Sequence, residues 1–270
     1  MSGRLPTRQV AKPWGQDVLP APFAAPAGER IGEVWFEPPA ALPQLLVKYI
    51  FTSEKLSVQV HPSDAETEAA GLGRQGKEEC WLVIAAEPGA RLGIGFREPL
   101  CADAMRAAAL DGSIEQAMEW HPVQPGDFFY IPAGTVHAIG AGIALIEVQQ
   151  NSDITYRLYD YGRPRELHLE QGITVARGER YVDPLRTALP AHGSVTLVEG
   201  PLFRLDRIEG EPGAALRARY RGPLLVIPRE GAVLIGGEPI LPGQCALADS
   251  LDAAHFAPGG QCLITQPAGG

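Results

Sequence analysis

The chain has no surplus of positive charge: 23 Lys and Arg stand against 32 Asp and Glu, a net of −9 over 270 residues. Nucleic acid and anionic membranes are therefore disfavoured as partners, because the basic footprint that recognises them is missing. A small anionic substrate is not disfavoured, since one local Lys/Arg pocket can oppose the global field. Long apolar runs are missing too. None approaches the ~20 residues of a membrane span, and Met1 to Gly15 has no apolar core of signal-peptide length. Cysteine is scarce: Cys80, Cys101, Cys245 and Cys262 show no CxxC spacing. That argues against a thiolate zinc site and against a disulfide framework. No GxGxxG phrase or Walker-type lysine loop is present, so a nucleotide cofactor is unsupported. A soluble, cytoplasmic protein is expected; oligomeric state is left open.

Apolar residues make up 45% of the chain and charged residues 20%, the balance of a globular protein. The 31 Gly and 25 Pro favour turns and short strands over long helices. The residues through Pro43, rich in Pro, Gly and Ala, read as an extended wrapping segment. Strand-like runs follow at Gln44 to Thr52, Leu56 to His61, Glu78 to Ala85, Phe128 to Pro132, Ala144 to Gln149 and Ile154 to Tyr161. One alanine-rich stretch around residues 101–118 predicts one or two short helices.

A polar, Pro-containing stretch, Arg177 to His192, reads as a linker. Shorter apolar runs follow at Ser194 to Val198, Leu202 to Leu205, Leu224 to Ile227, Ala232 to Ile235 and Cys262 to Thr265. Val123-Gln-Pro-Gly-Asp127 resembles Ile240-Leu-Pro-Gly-Gln244, each leading into an apolar strand. The expectation is a mainly β chain of two tandem sandwich or barrel units. The first would span 1–176 and carry the chemistry. The second would be 177–270, linker included.

Chemistry-bearing residues converge by strand parity. In Ser57-Val-Gln-Val-His61, Ser57, Gln59 and His61 share one face. In Gly76-Lys-Glu-Glu-Cys-Trp81, Lys77, Glu79 and Trp81 share a face, with Glu78 and Cys80 opposite. The phrase Gly126 to His137 reads as strand, tight Pro-Ala-Gly turn, then a histidine returning to the same lumen. Two histidines, one carboxylate and one amide oxygen make a four-ligand site for a divalent metal. With Glu79 as sole anion, a bound Zn²⁺ keeps net positive charge and stays a strong Lewis acid. Taken singly, each residue has an ordinary structural reading; the Gly-to-His phrase is the most specific.

That phrase, Gly126, Pro132, Gly134 and His137, resembles the second cupin motif. The wider run resembles the class I mannose-6-phosphate isomerases in their short bacterial form. It includes Pro13-Trp-Gly15, Gly32-Glu-Val-Trp35, Leu46-Val-Lys48, Glu54 to Pro62, Gly76 to Trp81 and Pro125 to Arg163. Gln59-x-His61 replaces the His-x-His of many other cupins. The resemblance implies a bicupin with metal ligands at Gln59, His61, Glu79 and His137, and an active-site lysine at Lys77. It also implies a catalytic arginine at Arg157, within Ser-Asp-x-Thr-x-Arg, and an acid near the substrate at Glu147. The implied activity is zinc-dependent interconversion of mannose 6-phosphate and fructose 6-phosphate, one Zn²⁺ per chain. Arg157 and Lys77 would stabilise developing charge, or one would hold the phosphate; Glu147 would carry the proton. The second half lacks any Gln-x-His, His-x-His or Lys-x-Glu phrase, so a metal-free unit is expected there. The rival classes are an isomerase of another sugar, a two-His-one-carboxylate oxygenase and a non-catalytic sugar-binding bicupin. His121, His168, His192 and His255 have no ligand-spaced neighbour and read as structural or surface residues, His168 edging the pocket.

Overall fold

A computed structural model describes residues 2–182 and 185–268. Its centre is a seven-stranded antiparallel sheet. In spatial order the strands are Arg186–Ala188, Asp127–Ile131, Glu79–Ala86, Ile143–Gln150, Leu45–Phe51, Ile31–Phe36 and Thr7–Gln16. Leu45–Phe51 is buried along its whole length, as a strand covered on both faces must be. Val47, Tyr49 and Phe51 face one core, and Ile50 faces another. Alternation therefore sends Lys48 to the same side as Ile50.

On that inner side lies a five-stranded sheet ordered Tyr156–Tyr159, Val58–Val60, His137–Ile139, Arg91–Phe96 and Met118–Pro122. Ile50, Trp81, Phe129 and Leu145 of the large sheet pack against Leu92, Ile94 and Ile139 of the smaller one. The far face of the smaller sheet is covered by helices Ala102–Asp111, Ile114–Ala117 and Leu169–Val175. There Met105, Ala109, Ile114 and Ile173 bury Val58, Val60 and Ala138.

The outer side of the central sheet packs on a six-stranded sheet made mostly from the second half of the chain. Val47, Tyr49, Leu82 and Val148 meet Phe203, Leu205, Leu225, Ile227 and Leu263 in one apolar cluster. The opposite face of that sheet closes on a three-stranded one (Glu238–Ile240, Val233–Ile235, Ala254–Phe256) around Val226, Ile235, Ile240 and Ile264. The architecture is mainly β, as expected. Among the described residues, no helix is long and apolar enough to cross a membrane.

Two local expectations need correction. The N-terminal segment is not simply extended: Gly3–Arg4 joins the six-stranded sheet, and Thr7–Gln16 with Ile31–Phe36 completes the central one. Its composition hid this because Pro20, Pro22 and Pro26 fall between the strands, and Pro13 lies in an edge strand, where a missing N–H is tolerated. The stretch 177–192 is pinned to the first half. Arg186–Ala188 pairs with Asp127–Phe129, and bridges join Gly95 to Arg180 and Thr135 to Arg177. The repeated phrase does adopt one turn twice. Gly126 and Gly243 have φ of +93° and +84°, which glycine reaches without steric cost. In each turn the following side chain, Asp127 or Gln244, accepts the backbone N–H of the residue three before it.

Candidate active site

Two rows of residues, one from each inner face, frame the site. In the central sheet Trp35 is in register with Lys48, Lys48 with Glu147, and Glu147 with Trp81. In the five-stranded sheet Arg157 is in register with Gln59, and Gln59 with His137. A cavity of about 500 Å³ lies between the rows. The candidate residues thus sit where side chains of two sheets converge, and close strand pairing sets their spacing.

His61, Glu79 and His137 form the buried cluster, each at most 2% exposed. His61 Nδ1 donates to Ile154 O at 2.9 Å, and His137 Nδ1 to Thr135 O at 2.9 Å. Each ring therefore turns its Nε2 lone pair inward. His61 Nε2 lies 3.5 Å from Glu79 Oε2, and His137 Nε2 lies 3.4 Å from Glu79 Oε1. One ligand atom from each of the three lies within 4.8 Å of the others, the one such group found among the described residues.

The turn that delivers His137 explains the phrase preceding it. Gly134 has φ +83°, and its N–H donates to His61 O at 2.8 Å, tying the two histidine segments together. A Cβ there would stand 3.0 Å from Val175 O and from the Arg177 side chain. Glycine alone fits both the φ and the space.

Charge states follow from burial and neighbours. Desolvation, reinforced by Lys77 and His137, holds His61 well below the usual imidazole range. Desolvation also outweighs Glu79 to hold His137 below it. Both rings are neutral near pH 7, the state a metal ligand needs. Burial works against the Glu79 carboxylate, but Lys77 and His137 outweigh it and keep its pKa below the ordinary value. Burial likewise opposes the Lys77 ammonium, and Glu79 with Glu147 more than compensates. Lys77 Nζ lies 2.7 Å from Glu79 Oε2 and 3.0 Å from His61 Nε2. Neither Glu79 oxygen accepts a well-directed hydrogen bond, although both are buried. Two neutral imidazoles and an anionic carboxylate with spare lone pairs fit a divalent cation.

Gln59 lies beside this cluster with its amide turned the other way. Its Nε2 is 3.3 Å from His137 Nε2, and its Oε1 accepts the Ser57 hydroxyl at 3.1 Å. A half-turn of the amide exchanges the two atoms. Parity correctly separates Glu79 from Glu78: the latter receives the Tyr130 hydroxyl on the far side. Cys80 likewise faces the outer core.

Glu147 faces the cavity. Trp81 Nε1 donates to its Oε2 at 2.9 Å, and Lys48 Nζ lies 3.2 Å from its Oε1. Glu147 and Arg157 do not share a strand. Ile143–Gln150 ends before Tyr156–Tyr159 begins, and the two strands belong to facing sheets. The break at Asn151 and Ser152 thus brings the acid and the arginine to opposite walls. Arg157 Nη1 donates to Glu166 O at 2.9 Å, while its Nε is buried with no acceptor. Burial, then the charge of Arg165, lowers the Arg157 pKa.

Sequence reasoning gave no role to the ladder beside Glu147. Lys48 Nζ sits 4.5 Å from the Trp35 ring centroid, Trp35 Nε1 donates to Glu33 at 2.5 Å, and Lys12 Nζ is 3.3 Å from Glu33. The available signal was Lys48 itself, a lone charge within the apolar run Leu45–Phe51. Arg165 and Asp153 also line the cavity, as does His168, expected only at its edge. His192 and His255 are exposed, and His121 packs on Phe129 and Tyr181.

The cavity's cationic side chains are Lys12, Lys48, Lys77, Arg157 and Arg165. Its anions are Glu33, Glu147, Asp153 and Glu166. Above the histidine cluster, five cationic side chains thus stand against four anionic ones in a chain of net charge −9, a local balance that admits an anionic ligand.

Strand-paired rows that bring two histidines and a glutamate beneath a polar cavity define a cupin-type protein with a candidate metal centre. Comparisons with known proteins narrow the class. The chain is 36% identical over 205 residues to the mannose-6-phosphate isomerase of Streptococcus mutans, covering 72% of this chain and 64% of that one. It is 36% identical over 216 residues to mannose-6-phosphate isomerase ManA of Bacillus subtilis, covering 73% and 65%. These matches span just under two thirds of the relatives' own length. No family model matches the chain. Among solved structures, the mannose 6-phosphate isomerase of Bacillus subtilis superposes with a TM-score of 0.81 over 98% of this chain and 99% of that one, at 23% identity. A variant of phosphomannose isomerase from Salmonella typhimurium gives 0.73 over 99% and 100%, at 13% identity. The chain belongs to the mannose-6-phosphate isomerase family.

Proposed function

We propose that the protein is a cytoplasmic, zinc-dependent aldose–ketose isomerase that interconverts mannose 6-phosphate and fructose 6-phosphate. The observation that carries this reading is the buried His61–Glu79–His137 cluster beneath a polar cavity that five cationic side chains line. The names of its relatives support the same reading. His61, Glu79 and His137 would hold the ion, with Gln59 as fourth ligand once its amide turns its oxygen inward. When bound, the ion supplies Lewis-acid polarisation of the substrate oxygens.

The chain's own groups do the rest. A base removes the C2 proton of the open-chain aldose, acidified by the neighbouring carbonyl, and charge moves onto the C1 oxygen as an enediolate. The C2 hydroxyl proton passes to the C1 oxygen, and the base returns its proton to C1. Glu147 is the proton carrier, oriented by Trp81 Nε1 and the Lys48 ammonium. Arg157 and Lys77 stabilise the developing oxyanion from fixed positions. Trp14, Trp35, Ile50 and Leu56 form apolar or aromatic parts of the wall that limit water around the intermediate. In this reading the second half, residues 177–270, contributes packing and no metal.

The test is a panel of hexose phosphates assayed for isomerisation with metal-stripped and zinc-restored protein. Turnover of mannose 6-phosphate restored by zinc is the expected result. Oxygen consumption by iron-loaded protein without isomerisation would replace it with the oxygenase reading. Sugar binding without turnover in metal-replete protein would make it a binding module.

A further inference from the structure

The loop after Arg157 contains a buried carboxylate shared by two arginines. Asp160 is 2% exposed. Arg165 Nε and Nη2 hold its two oxygens at 2.5 and 2.7 Å, and Arg163 Nη2 lies 3.0 Å from Oδ1. Arg163 is anchored further by donating to Lys55 O at 2.6 Å. Tyr161, at φ +55°, takes the left-handed conformation that makes the loop double back between these residues. One carboxylate serving two guanidiniums leaves surplus positive charge. Of the pair, Arg165 lines the cavity.

The geometry leaves half of Arg165 unused. Asp160 takes the Nε–Nη2 edge, so Nη1 and the second N–H of Nη2 remain for another acceptor. His168 lines the same cavity. The Arg157 backbone N–H donates to His168 Nδ1 at 3.3 Å, which places the ring proton on Nε2 as a further donor. Glu166 does not fill this site. It is 82% exposed, and its nearest contact here is 3.9 Å from His168 Nε2.

Position along the cavity matters as well. His137, Gln59 and Arg157 sit on successive strands, so Arg157 stands roughly 10 Å from His137 along the row and one strand spacing from Gln59. Arg165 lines the same cavity, near enough to Arg157 for its charge to be felt there. A linear hexose 6-phosphate has its reacting carbons at one end and its phosphate at the other.

We propose that Arg165, clamped from behind by Asp160, is the phosphate anchor of this cavity, with His168 Nε2 as second donor. Arg157 is thereby left free for the reacting oxygens. The proposal rests on the isomerase reading for the sugar, but the phosphomonoester site itself can be probed without turnover.

The test uses zinc-loaded protein with inorganic phosphate as the probe, titrated calorimetrically, alongside mannose 6-phosphate kinetics. Arg165→Gln should weaken phosphate binding about 10- to 100-fold, the scale of one charge-assisted bidentate contact. KM should rise by a similar factor with kcat little changed. Removing Arg165 alone strands part of Asp160, so Asp160→Asn/Arg165→Gln is the companion variant, replacing the ion pair by an amide pair. It should show the same loss. Unchanged phosphate affinity in either folded variant, or no phosphate binding to the wild type, overturns the site. A fall in kcat at constant KM also overturns it, since that marks a role at the reacting carbons. Phosphate bound through Arg165 by a protein that isomerises no hexose phosphate would sustain the site and sink the isomerase reading.

Discussion

Lys48 and Glu147 stand directly opposite one another in neighbouring strands, with Lys48 Nζ 3.2 Å from Glu147 Oε1 and both side chains less than a tenth exposed. Such a pair gains little over an apolar replacement, but breaking it strands a charge. Lys48→Met should therefore destabilise the fold by about 3 kcal/mol. Lys48→Met/Glu147→Gln should recover much of that loss. Urea unfolding of the two single variants and the double one gives the coupling energy. Additive losses would show that the pair is not coupled.

The metal cluster makes a separate demand. His61→Ala and His137→Ala should each cost at least about tenfold in zinc affinity, with the β fold intact by circular dichroism. Each histidine is aimed by a backbone carbonyl, Ile154 O or Thr135 O, so the remaining ligands keep their orientation. Full metal occupancy in His137→Ala would remove that residue from the site.

Gly134 links those histidines, and its replacement tests the turn. Gly134→Ala places a Cβ against Val175 O at a backbone φ of +83°. The cost should be about 1–2 kcal/mol, with zinc affinity reduced because His137 follows three residues later. Wild-type stability and metal binding together would mean the turn relaxes freely.

Much of this site was legible from residue parity. Gln59 with His61, and Lys77 with Glu79 and Trp81, fall on one side because side chains alternate along a strand. The structure places their side chains around one point. Two things were not legible. A turn at Asn151-Ser152 could be read as a break in the parity from Glu147 to Arg157, but not as one that puts the two residues on facing sheets. The pairing of Lys48 with Glu147 depends on register between segments a hundred residues apart, which no local pattern encodes. Gly3–Arg4 and Thr7–Gln16 were hidden for a different reason: both are edge strands, which tolerate the proline and glycine that otherwise argue against a strand. Asp160 and Arg165 lie five positions apart in one loop, and the backbone reversal at Tyr161 makes them partners.

The second half should behave as packing. Phe203 is fully buried where the six-stranded sheet meets the central one. Phe203→Ala should lose about 3–5 kcal/mol of stability, while the folded fraction keeps its zinc and its KM. Metal analysis should give one ion per chain, because the described residues contain one His/Glu cluster. A second stoichiometric ion that disappears in His255→Ala would assign chemistry to this half.

Arg157 carries the mechanistic prediction. It lies in register with Gln59 and two strands from His137, and its Nη1 donates to Glu166 O rather than to a ligand atom of the metal cluster. Its buried Nε has no acceptor among the described residues, so a donor is held ready beside the cavity at a desolvation cost. A guanidinium stays charged through the reaction and donates from a rigid fork, which suits an oxygen that becomes anionic only in the transition state. Lysine keeps the charge and loses the fork. Arg157→Lys and Arg157→Ala should both retain zinc, and each should lose about 2.7–4 kcal/mol of transition-state stabilisation, a hundredfold to thousandfold in kcat. With the phosphate held by Arg165, KM should change much less than kcat in these variants, the reverse of the pattern expected for Arg165→Gln. Isomerisation in deuterated water adds an internal check, since a base-mediated path carries some solvent deuterium into the product. Near-wild-type kcat in Arg157→Ala would sink the assigned role, whatever its zinc content.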